Sequence, residues 1–316
     1  MPRMKSHAAR PQGRGGSFVL DELGVRCEQN VPIGPRTWYG VGGLAAILAH
    51  PAGVEHLAAL ARRCHESDVP LRVLGAGANL LVSDAGIGGV VVQLDEPFWR
   101  QVRTDGHTLV VGAGHDLMKL VLDTARRGLG GLESLAGIPA TVGGAIRMNA
   151  GGAFGQIGPA VQHVVLMDET GRVLKRRGAD LGFAYRRTHI RETIIIEAHF
   201  DLNKGDPDHL MRRVKEVFAY KKKSQPLAEH SAGCAFKNPP AVDGGERLSA
   251  GSLIDQAGLK GHRAGGAQVS TKHANFVITH EGCTASDVLA LMDQVQRKVE
   301  EQLGVRLERE VVVWEG

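Results

Sequence analysis

VLGAGANLLVSDAGIGG occupies residues 73–89, and its small residues follow a short apolar run that is typical of a β-strand. A second stretch of the same character, AGIPATVGGAIRMNAGG, occupies residues 136–152. Small side chains allow backbone N–H groups to approach an anion closely. A tight turn would explain one such cluster equally well, but two of them favour a cofactor that carries phosphate groups.

Two common nucleotide-binding motifs are absent from these stretches, which limits the kinds of nucleotide site they can form. GAGANL at 75–80 has no third glycine in the G-x-G-x-x-G pattern, and no segment matches G-x-x-x-x-G-K-[ST]. A standard Rossmann or P-loop site is therefore disfavoured. The residues alone indicate a diphosphate cofactor bound by a less common fold.

The composition is that of an ordinary globular protein, with 316 residues, 43% hydrophobic and 23% charged. No apolar run reaches the length of a membrane span, and no export signal is found. The four cysteines, Cys27, Cys64, Cys234 and Cys283, form no CxxC pair. We therefore expect a cytoplasmic protein of roughly two domains without disulfides or a metal site.

Residues 1–16 contain four basic residues and no acidic residue, and they account for the whole formal net charge of +4. We expect this segment to be a disordered leader. Four cations without aromatic residues give little support for nucleic-acid binding. We expect neither nucleic-acid partners nor membrane insertion.

Short β-rich runs alternate with the glycine clusters, at 71–75, 89–94, 108–112, 163–168 and 193–202. Apolar periodicity predicts helices over 54–66 and 116–127, and ETGR at 169–172 predicts a hairpin turn. The order of these elements is that of a mixed α+β protein. It differs from the regular βαβ alternation of a doubly wound fold.

The pattern changes after residue 203. Asp206 and Pro207 predict the start of a helix whose apolar stripe, Leu210, Val214 and Val217, continues toward Lys221. A last helix is predicted over 285–303, followed by a closing strand over 305–313. We place a domain boundary near residue 205, which gives domains of residues 17–205 and 206–316.

Seven motifs occur in the order in which they stand in a known family. They are RTWYGVGG (36–43), VLGAGANLLVSDAGIGGVV (73–91), LAGIPATVGGAIRMNAGG (135–152), FAYRRT (183–188), SAGCAFKNP (231–239), LIDQAGLKG (253–261) and HANFVI (273–278). Together they resemble the UDP-N-acetylenolpyruvoylglucosamine reductase (UDP-N-acetylmuramate dehydrogenase) family from about residue 20 onward. The short interval between Arg186 and Cys234 resembles the smaller subtype, which lacks an extra substrate loop.

The resemblance implies an α+β fold with a vanillyl-alcohol-oxidase-type FAD-binding domain in two subdomains and a C-terminal α+β substrate-binding domain. It implies FAD-dependent reduction of UDP-N-acetylglucosamine enolpyruvate to UDP-N-acetylmuramate, with NADPH as hydride donor, in peptidoglycan precursor synthesis. The residues it assigns to FAD are Gly75, Ala76, Gly77, Ala78, Asn79, Leu80, Gly137, Ile138, Pro139, Gly143 and Gly144.

The same resemblance assigns catalysis to Arg186, Cys234 and Glu310. Reduction of an enolpyruvyl double bond builds negative charge on the substrate carboxylate and needs an acid for the α carbon. Arg186 would hold that carboxylate bidentately, although Arg187 beside it is an alternative. Glu310 would act as a protonated acid with a raised pKa, and its structural alternative is an outward-facing charge on a strand.

Cys234 stands where most members of this family have a serine that donates the proton to the enolate. A free thiol has a pKa of about 8.5, much closer to neutrality than that of an alcohol. We therefore expect Cys234 to be an easier proton donor than serine. We also expect it to be sensitive to oxidation beside a flavin.

Substrate contacts are assigned by the resemblance to Tyr185, Lys222, Asn238 and His273. Lys221 and Lys223 compete with Lys222 for the diphosphate, since cations at a helix C-terminus are also favoured by the helix dipole. Asn238 has a structural alternative as a brace before Pro239, and His273 as a packed core histidine.

Two departures from the family pattern concern the second glycine cluster. Arg147 stands where an aromatic residue is common, and Phe154 stands where a tyrosine is common. We expect the missing hydroxyl to remove one flavin contact. Backbone contacts from Gly143 and Gly144 are expected to survive.

Two other functions remain open. An FAD-linked oxidase of the same superfamily, acting on a sugar or alcohol, would share the glycine clusters without needing the KNP, HANF and Glu310 set. A flavin- or nucleotide-binding scaffold that has lost catalysis would be marked by the cysteine in place of serine. We expect a UDP-sugar and NADPH as small-molecule partners and favour a monomer.

Overall fold

The computed structural model describes residues 20–240 and 248–316, and the predicted leader, residues 1–16, lies outside these ranges. Two successive α+β subdomains are followed by a smaller C-terminal α+β unit. Within the described ranges, no helix is both long enough and apolar enough to cross a membrane.

The first subdomain is a mixed sheet with one covering helix. Its elements are β1 (Arg26–Pro32), β2 (Leu44–His50), α1 (Val54–Glu66), β3 (Leu71–Leu74), β4 (Leu80–Val82) and β5 (Ile87–Gln93). Four strands form the sheet in the order β1-β2-β5-β3, with β2, β3 and β5 parallel. The predicted helix over 54–66 is confirmed, and it buries Leu57, Leu60 and Cys64.

The second subdomain contains a five-stranded antiparallel sheet in the order β12-β11-β13-β7-β6. Its elements are β6 (Val102–Asp105), β7 (Thr108–Gly112), α2 (Leu117–Arg126), β8 (Leu129–Gly130), α3 (Val142–Arg147), β9 (Gly151–Gly152), β10 (Gly155–Gln156), β11 (Val161–Met167), β12 (Val173–Arg177), β13 (Ile194–Asp201) and β14 (Asn203–Lys204). The Asp116 side chain caps α2 by accepting from the Lys119 N–H at 2.8 Å. The predicted hairpin turn joins β11 and β12, where Asp168 accepts the Thr170 and Arg172 N–H groups.

Helix α4 (Pro207–Ser224) begins where the sequence predicts, with Asp206 as its N-cap. Its apolar residues Leu210, Val214 and Val217 belong to the same core as the two subdomain sheets. By packing, this helix therefore extends the core of the two subdomains. The change of core lies at the end of α4, and the boundary predicted near residue 205 stays a prediction.

The C-terminal unit comprises α5 (Ala250–Gln256), β15 (Arg263–Ala264), β16 (Ala267–Val269), β17 (Val277–Thr279), α6 (Ala285–Leu303) and β18 (Val312–Trp314). Strands β15, β16 and β17 form an antiparallel sheet, and α6 matches the predicted helix over 285–303. The predicted strand over 305–313 is wrong in extent. Only its end forms β18, while Arg309 makes an isolated bridge to Phe236.

Short 3₁₀ helices connect several of these elements, at Asp21–Leu23, Gly34–Arg36, Pro97–Arg100, Glu133–Leu135, Gly158–Ala160 and Gly178–Leu181. One of them contains Trp99, which is fully buried and donates from its indole N–H to the Pro51 carbonyl at 2.6 Å. This contact fixes the second subdomain against the first.

Several contacts attach the C-terminal unit to the first subdomain, among them a strand pair and a side-chain cap. Strand β18 pairs in parallel with β4, which places Val312 opposite Leu80. Asp84 accepts hydrogen bonds from the backbone N–H groups of Ala285 and Ser286 and from the Ser286 hydroxyl, at 2.6–2.8 Å. These are the first donors of α6, which the helix itself cannot satisfy. Asp84 is thus an inter-domain cap.

We expect Asp84→Ala to lower the free energy of unfolding by about 1 kcal/mol, as for loss of a helix cap. Asp84→Asn, which keeps one acceptor oxygen, should lose less. Urea unfolding followed by tryptophan fluorescence measures both, and equal stability of Asp84→Ala and the parent would contradict the assignment.

The pH dependence of the free energy of unfolding provides a second test of the Asp84 cap. Burial alone would raise the pKa of Asp84, but the hydrogen bonds from Ser286 and Ala285 lower it below its usual value. The contribution of Asp84 is therefore present above the unfolded pKa of about 3.9 and is lost as the pH falls through the folded pKa. The difference between parent and Asp84→Asn should shrink on acidification.

Candidate active site

The first glycine cluster forms a concave loop between β3 and β4. Gly77 has a φ of 65°, and a Cβ there would lie 2.3 Å from the Arg36 carbonyl oxygen, so glycine is required. Between residues 75 and 79, no backbone N–H donates to a protein acceptor in the part of the chain that the structure describes. Successive unpaired N–H groups at such a turn are an anion-binding arrangement. These residues therefore fit the diphosphate of FAD.

The second glycine cluster faces the first. A Cβ on Gly75 would lie 2.8 Å from Thr141 Oγ1, so the two loops meet at these residues. Gly143 and Gly144, however, donate their N–H groups to Ala113 O at 2.8 Å and to Thr141 Oγ1 at 3.2 Å. Internal acceptors therefore already occupy both N–H groups, and the backbone contacts of these glycines to FAD stay predictions.

Gly137, also predicted to bind FAD, lies against α4. Its φ is 76°, and a Cβ there would lie 3.1 Å from the Phe218 ring and 3.3 Å from Lys221 Cδ. Glycine at this position allows the end of α4 to approach the second cluster. Ile138 and Pro139 follow in the same loop, and their contacts to FAD stay predictions.

Tyr185 and Arg186 are the central residues of a tight turn. Ala184 and Arg187 close the turn by exchanging backbone hydrogen bonds of 3.0 and 3.2 Å. Arg186 has a φ of 55°, which is uncommon for a residue with a side chain and is typical of functional sites. The Tyr185 hydroxyl accepts from the Asn238 N–H at 3.2 Å, which ties the turn to the C-terminal unit.

Arg186 forms an ion pair with Glu310, and its Nε lies 2.6 Å from Glu310 Oε1. Both side chains are largely buried, with exposed fractions of 17% and 12%. Arg187 is exposed, so the structure brings Arg186 and not its neighbour into the site. Burial raises the pKa of Glu310, although the charge and hydrogen-bonding groups of Arg186 act in the opposite direction.

Glu310 is held in place through its backbone. Its N–H donates to Ala235 O at 2.8 Å, and its carbonyl accepts from Asn79 Nδ2 at 3.1 Å. The Asn79 carbonyl in turn accepts from the Val312 N–H at 3.1 Å. Asn79 therefore connects the first glycine cluster directly to the segment that carries Glu310.

Cys234 lies beside this pair. Its segment is fixed by the buried Asn275, whose side chain accepts from the Phe236 N–H at 2.9 Å and donates to the Phe236 carbonyl at 2.8 Å. A Cβ on Gly233, one residue earlier, would lie 3.9 Å from Ala78 O. The thiol is thus placed between the first glycine cluster and Glu310.

The environment of Cys234 opposes ionisation. Burial, followed by the negative charge of Glu310, raises the pKa of the thiol to about 12, against the smaller opposing effect of Arg186. The expectation of a thiol close to its free pKa is therefore wrong. Cys234 stays protonated, which suits a proton donor and weakens the expected sensitivity to oxidation, since the thiolate is the reactive form.

Of the three consecutive lysines, Lys221 is the one that enters the site. It is 5% exposed, and its Nζ donates to the Ala136 carbonyl at 2.6 Å. Burial and the nearby Arg186 charge lower its pKa to about 8. Lys222, preferred from the sequence, is exposed, because it points away from the apolar stripe of α4.

Asn238 and His273 have structural partners. Asn238 Oδ1 accepts the Ala250 N–H at the start of α5 at 3.0 Å. His273 packs edge-on against Phe276 at 4.8 Å, and its Nδ1 accepts from the Asn275 N–H at 3.2 Å. Both residues brace the Cys234 region, and their substrate contacts stay predictions.

Sequence reasoning gave less weight to two residues than the structure does. Lys221 was named only as a competitor of Lys222, although it continues the stripe of Leu210, Val214 and Val217, four residues after Val217. Asn275 lay in a quoted motif without an assigned role. Phe154 packs against Tyr220 at 5.1 Å and under the Arg213 guanidinium, and the predicted loss of a flavin contact there stays a prediction.

Residues 45–176 match the FAD binding domain family. Together with the cradle of unpaired N–H groups, this match defines a flavoprotein with an FAD-binding domain and a separate C-terminal domain. Residues 225–314 match the C-terminal domain of UDP-N-acetylenolpyruvoylglucosamine reductase, a match that begins directly after α4.

Whole-chain relatives identify the family. A UDP-N-acetylenolpyruvoylglucosamine reductase from Heliobacterium modesticaldum is 43% identical over 90% of both chains. One from Symbiobacterium thermophilum is 41% identical over 94% of both. The crystal structure of the enzyme from Thermus caldophilus superposes with a TM-score of 0.78 at 40% identity, covering 92% of this chain and 99% of that one. The chain belongs to the UDP-N-acetylenolpyruvoylglucosamine reductase family.

The raised pKa of Cys234 predicts slow alkylation. At a pH of about 9, iodoacetamide should modify Cys234 more than about 100-fold more slowly in the folded protein than in the urea-unfolded protein. Removing the Glu310 charge with Glu310→Gln should speed the reaction. Peptide mass spectrometry measures the rate at this cysteine.

Glu308→Gln serves as the matched control, since Glu308 is exposed and pairs with Lys237. It should leave the alkylation rate at the parent value. Equal rates for Glu310→Gln and the parent would show that Glu310 does not act on the thiol.

Proposed function

We propose that this chain reduces the enolpyruvyl group of UDP-N-acetylglucosamine enolpyruvate to the lactyl group of UDP-N-acetylmuramate, with NADPH as hydride donor. The single observation that carries the proposal is the convergence of Arg186, Glu310 and Cys234 beside the first glycine cluster. Family membership supports the same reaction. An oxidase acting on a sugar or alcohol would not need a protonated thiol next to a buried arginine–glutamate pair.

When held at the first glycine cluster and reduced by NADPH, FAD would supply the hydride for the β carbon of the enolpyruvyl double bond. Arg186 binds the substrate carboxylate, on which negative charge builds as the β carbon receives the hydride. A guanidinium that is already desolvated and fixed in orientation stabilises this charge more strongly than one in water. The strained turn and the Glu310 contact preset that orientation.

Cys234 completes the addition by transferring its thiol proton to the α carbon. The new C–H bond forms as the S–H bond breaks, and the thiolate is then reprotonated from solvent. A pKa of about 12 makes the donor weaker than a free thiol but keeps it protonated at neutral pH. Glu310 is paired with Arg186 in the absence of substrate. A substrate carboxylate placed beside it would raise its pKa further, and the protonated form would donate a hydrogen bond to the enolate oxygen.

Lys221 is proposed to bind the substrate diphosphate in place of Lys222. Its ammonium group is buried next to the second glycine cluster and close enough to Arg186 for the two charges to interact. Asn238, Tyr185 and His273 are proposed to line the remainder of the substrate site. The cytoplasmic location and the monomeric state stay predictions.

The reaction is tested in two anaerobic half-reactions on the purified yellow protein. NADPH should bleach the flavin, and the enolpyruvyl substrate should then restore its colour. In D₂O the product should carry one solvent deuterium at the α carbon. Bleaching without recovery on addition of the substrate would overturn the proposal, and oxygen-dependent turnover of a sugar would favour an oxidase.

Cys234 variants assign the proton in the same assay. Cys234→Ala should reduce the flavin normally but slow reoxidation by the enolpyruvyl substrate by about 10²- to 10⁴-fold, the usual contribution of a general acid. Cys234→Ser, the residue common in the family, should stay within about tenfold of the parent. Normal reoxidation of Cys234→Ala would exclude the thiol as the acid.

Lys221→Met should raise the KM for the UDP-sugar by about 10- to 100-fold, as expected for loss of a charged hydrogen bond. Lys222→Met, the matched control, should change it little. In the parent, kcat/KM should fall as the pH rises through about 8, because Lys221 then loses its proton. An equal effect of both variants would contradict the assignment of Lys221.

A further inference from the structure

Asn149 is a fully buried polar residue near the end of the second glycine cluster, and its side chain contacts the Tyr185–Arg186 turn through Ala184. It follows α3, has a φ of 43° and has no exposed surface. A positive φ is tolerated by asparagine better than by most residues. The backbone conformation at residue 149 therefore favours asparagine, the residue type whose side-chain amide also makes the hydrogen bonds described next.

All hydrogen-bonding groups of the Asn149 side chain are engaged. Its Nδ2 donates to the Ala184 carbonyl at 2.8 Å and to Gln156 Oε1 at 3.0 Å. Its Oδ1 accepts the Gly158 N–H at 3.1 Å. One amide thus joins the chain just after the β9–β10 hairpin to the residue that opens the turn of Arg186.

The turn needs such an anchor. Arg186 holds a positive φ, and conformations of this kind persist only where surrounding contacts enforce them. Ala184 closes the turn by donating its N–H to the Arg187 carbonyl and by accepting the Arg187 N–H at its own carbonyl. The same Ala184 carbonyl also accepts a hydrogen bond from Asn149 Nδ2. A shift of Ala184 would therefore be transmitted to the guanidinium.

We propose that Asn149 is a positioning residue for Arg186. By holding the Ala184 carbonyl, Asn149 orients the Arg186 guanidinium toward the substrate carboxylate. The inference rests on the proposed function of Arg186. Asn149 itself needs no contact with substrate or cofactor. Misplacement of a catalytic group by about 1 Å can lower a rate by about 100-fold, so one anchoring hydrogen bond can control the reaction.

Arg147, two residues earlier, provides a structural control. Its guanidinium donates to the carbonyl groups of Ile190, Glu192 and Thr193 at 2.7–3.1 Å. These residues lie at the far end of the segment that follows Arg186. Arg147 therefore stabilises the same segment without contacting the turn itself.

The test compares Asn149→Asp with Asn149→Gly in the FAD-loaded protein. Asparagine and aspartate have nearly the same shape, and aspartate still accepts from Gly158 and tolerates the positive φ. In Asn149→Asp, a carboxylate oxygen replaces the Nδ2 group that donates to the Ala184 carbonyl and to Gln156 Oε1, so both of these hydrogen bonds lose their donor. Glycine keeps the backbone conformation but removes every side-chain contact.

Both variants should reduce the flavin with NADPH at a rate within about twofold of the parent, since no substrate carboxylate is involved in that step. Reoxidation by the enolpyruvyl substrate should slow by about 10- to 100-fold. Arg147→Met should lower the thermal unfolding midpoint at least as much as Asn149→Asp, while its reoxidation rate stays near that of the parent.

A double-mutant cycle separates positioning from general destabilisation. If Asn149 acts through Arg186, Asn149→Asp should have little further effect on reoxidation in an Arg186→Ala background. Additive effects, or equal losses in both half-reactions, would overturn the positioning role. Normal reoxidation of Arg186→Ala alone would instead overturn the proposed function of Arg186, so the two failures are distinguishable.

Discussion

The ion pair between Arg186 and Glu310 is the interaction on which the site depends. Removing two charges from water costs several kcal/mol per ion, and only close contact between well-held groups offsets that cost. Here each partner is fixed by its backbone, Arg186 by a tight turn and Glu310 by bonds to Ala235 and Asn79. The pair therefore forms only when the second subdomain, the first glycine cluster and the C-terminal unit are all in place.

The same pair determines the chemical character of Cys234. A cysteine near a cation is often a reactive thiolate, because positive charge lowers its pKa. At this site the burial of the thiol and the charge of Glu310 outweigh the effect of Arg186. The thiol is thereby kept as an acid. Cysteine differs from serine by one atom, and these surroundings suppress ionisation, the property in which the thiol differs most from a hydroxyl.

Local patterns predicted local structure well. The helices over 54–66 and 285–303 and the cap of α2 were correct, since apolar period and capping residues are properties of neighbouring positions. The strand over 305–313 was not, because the pairing partners of this segment, such as Phe236 and Leu80, lie far away in the sequence. The core that receives α4 is likewise built by residues much earlier in the chain, which local patterns do not show.

Within the site, motifs identified Arg186, Cys234 and Glu310, and the structure brings these three residues together. The substrate role of Lys222 stays a prediction, whereas helical phase, which is present in the sequence, places Lys221 on the buried face of α4. The pKa of Cys234 could not be predicted, because it depends on burial and on a carboxylate from a distant segment. It could likewise not be predicted that the N–H groups of Gly143 and Gly144 already have acceptors, the Ala113 carbonyl and Thr141 Oγ1.

The parallel pairing of β4 with β18 has a consequence for biosynthesis. More than 200 residues separate Leu80 from Val312, and ribosomes add roughly 5–20 residues per second. For a period on the order of ten seconds or more, the nascent polypeptide therefore presents β4 as an open edge, with backbone groups available to other chains. A chaperone or an early-bound flavin would have its greatest protective effect in this interval.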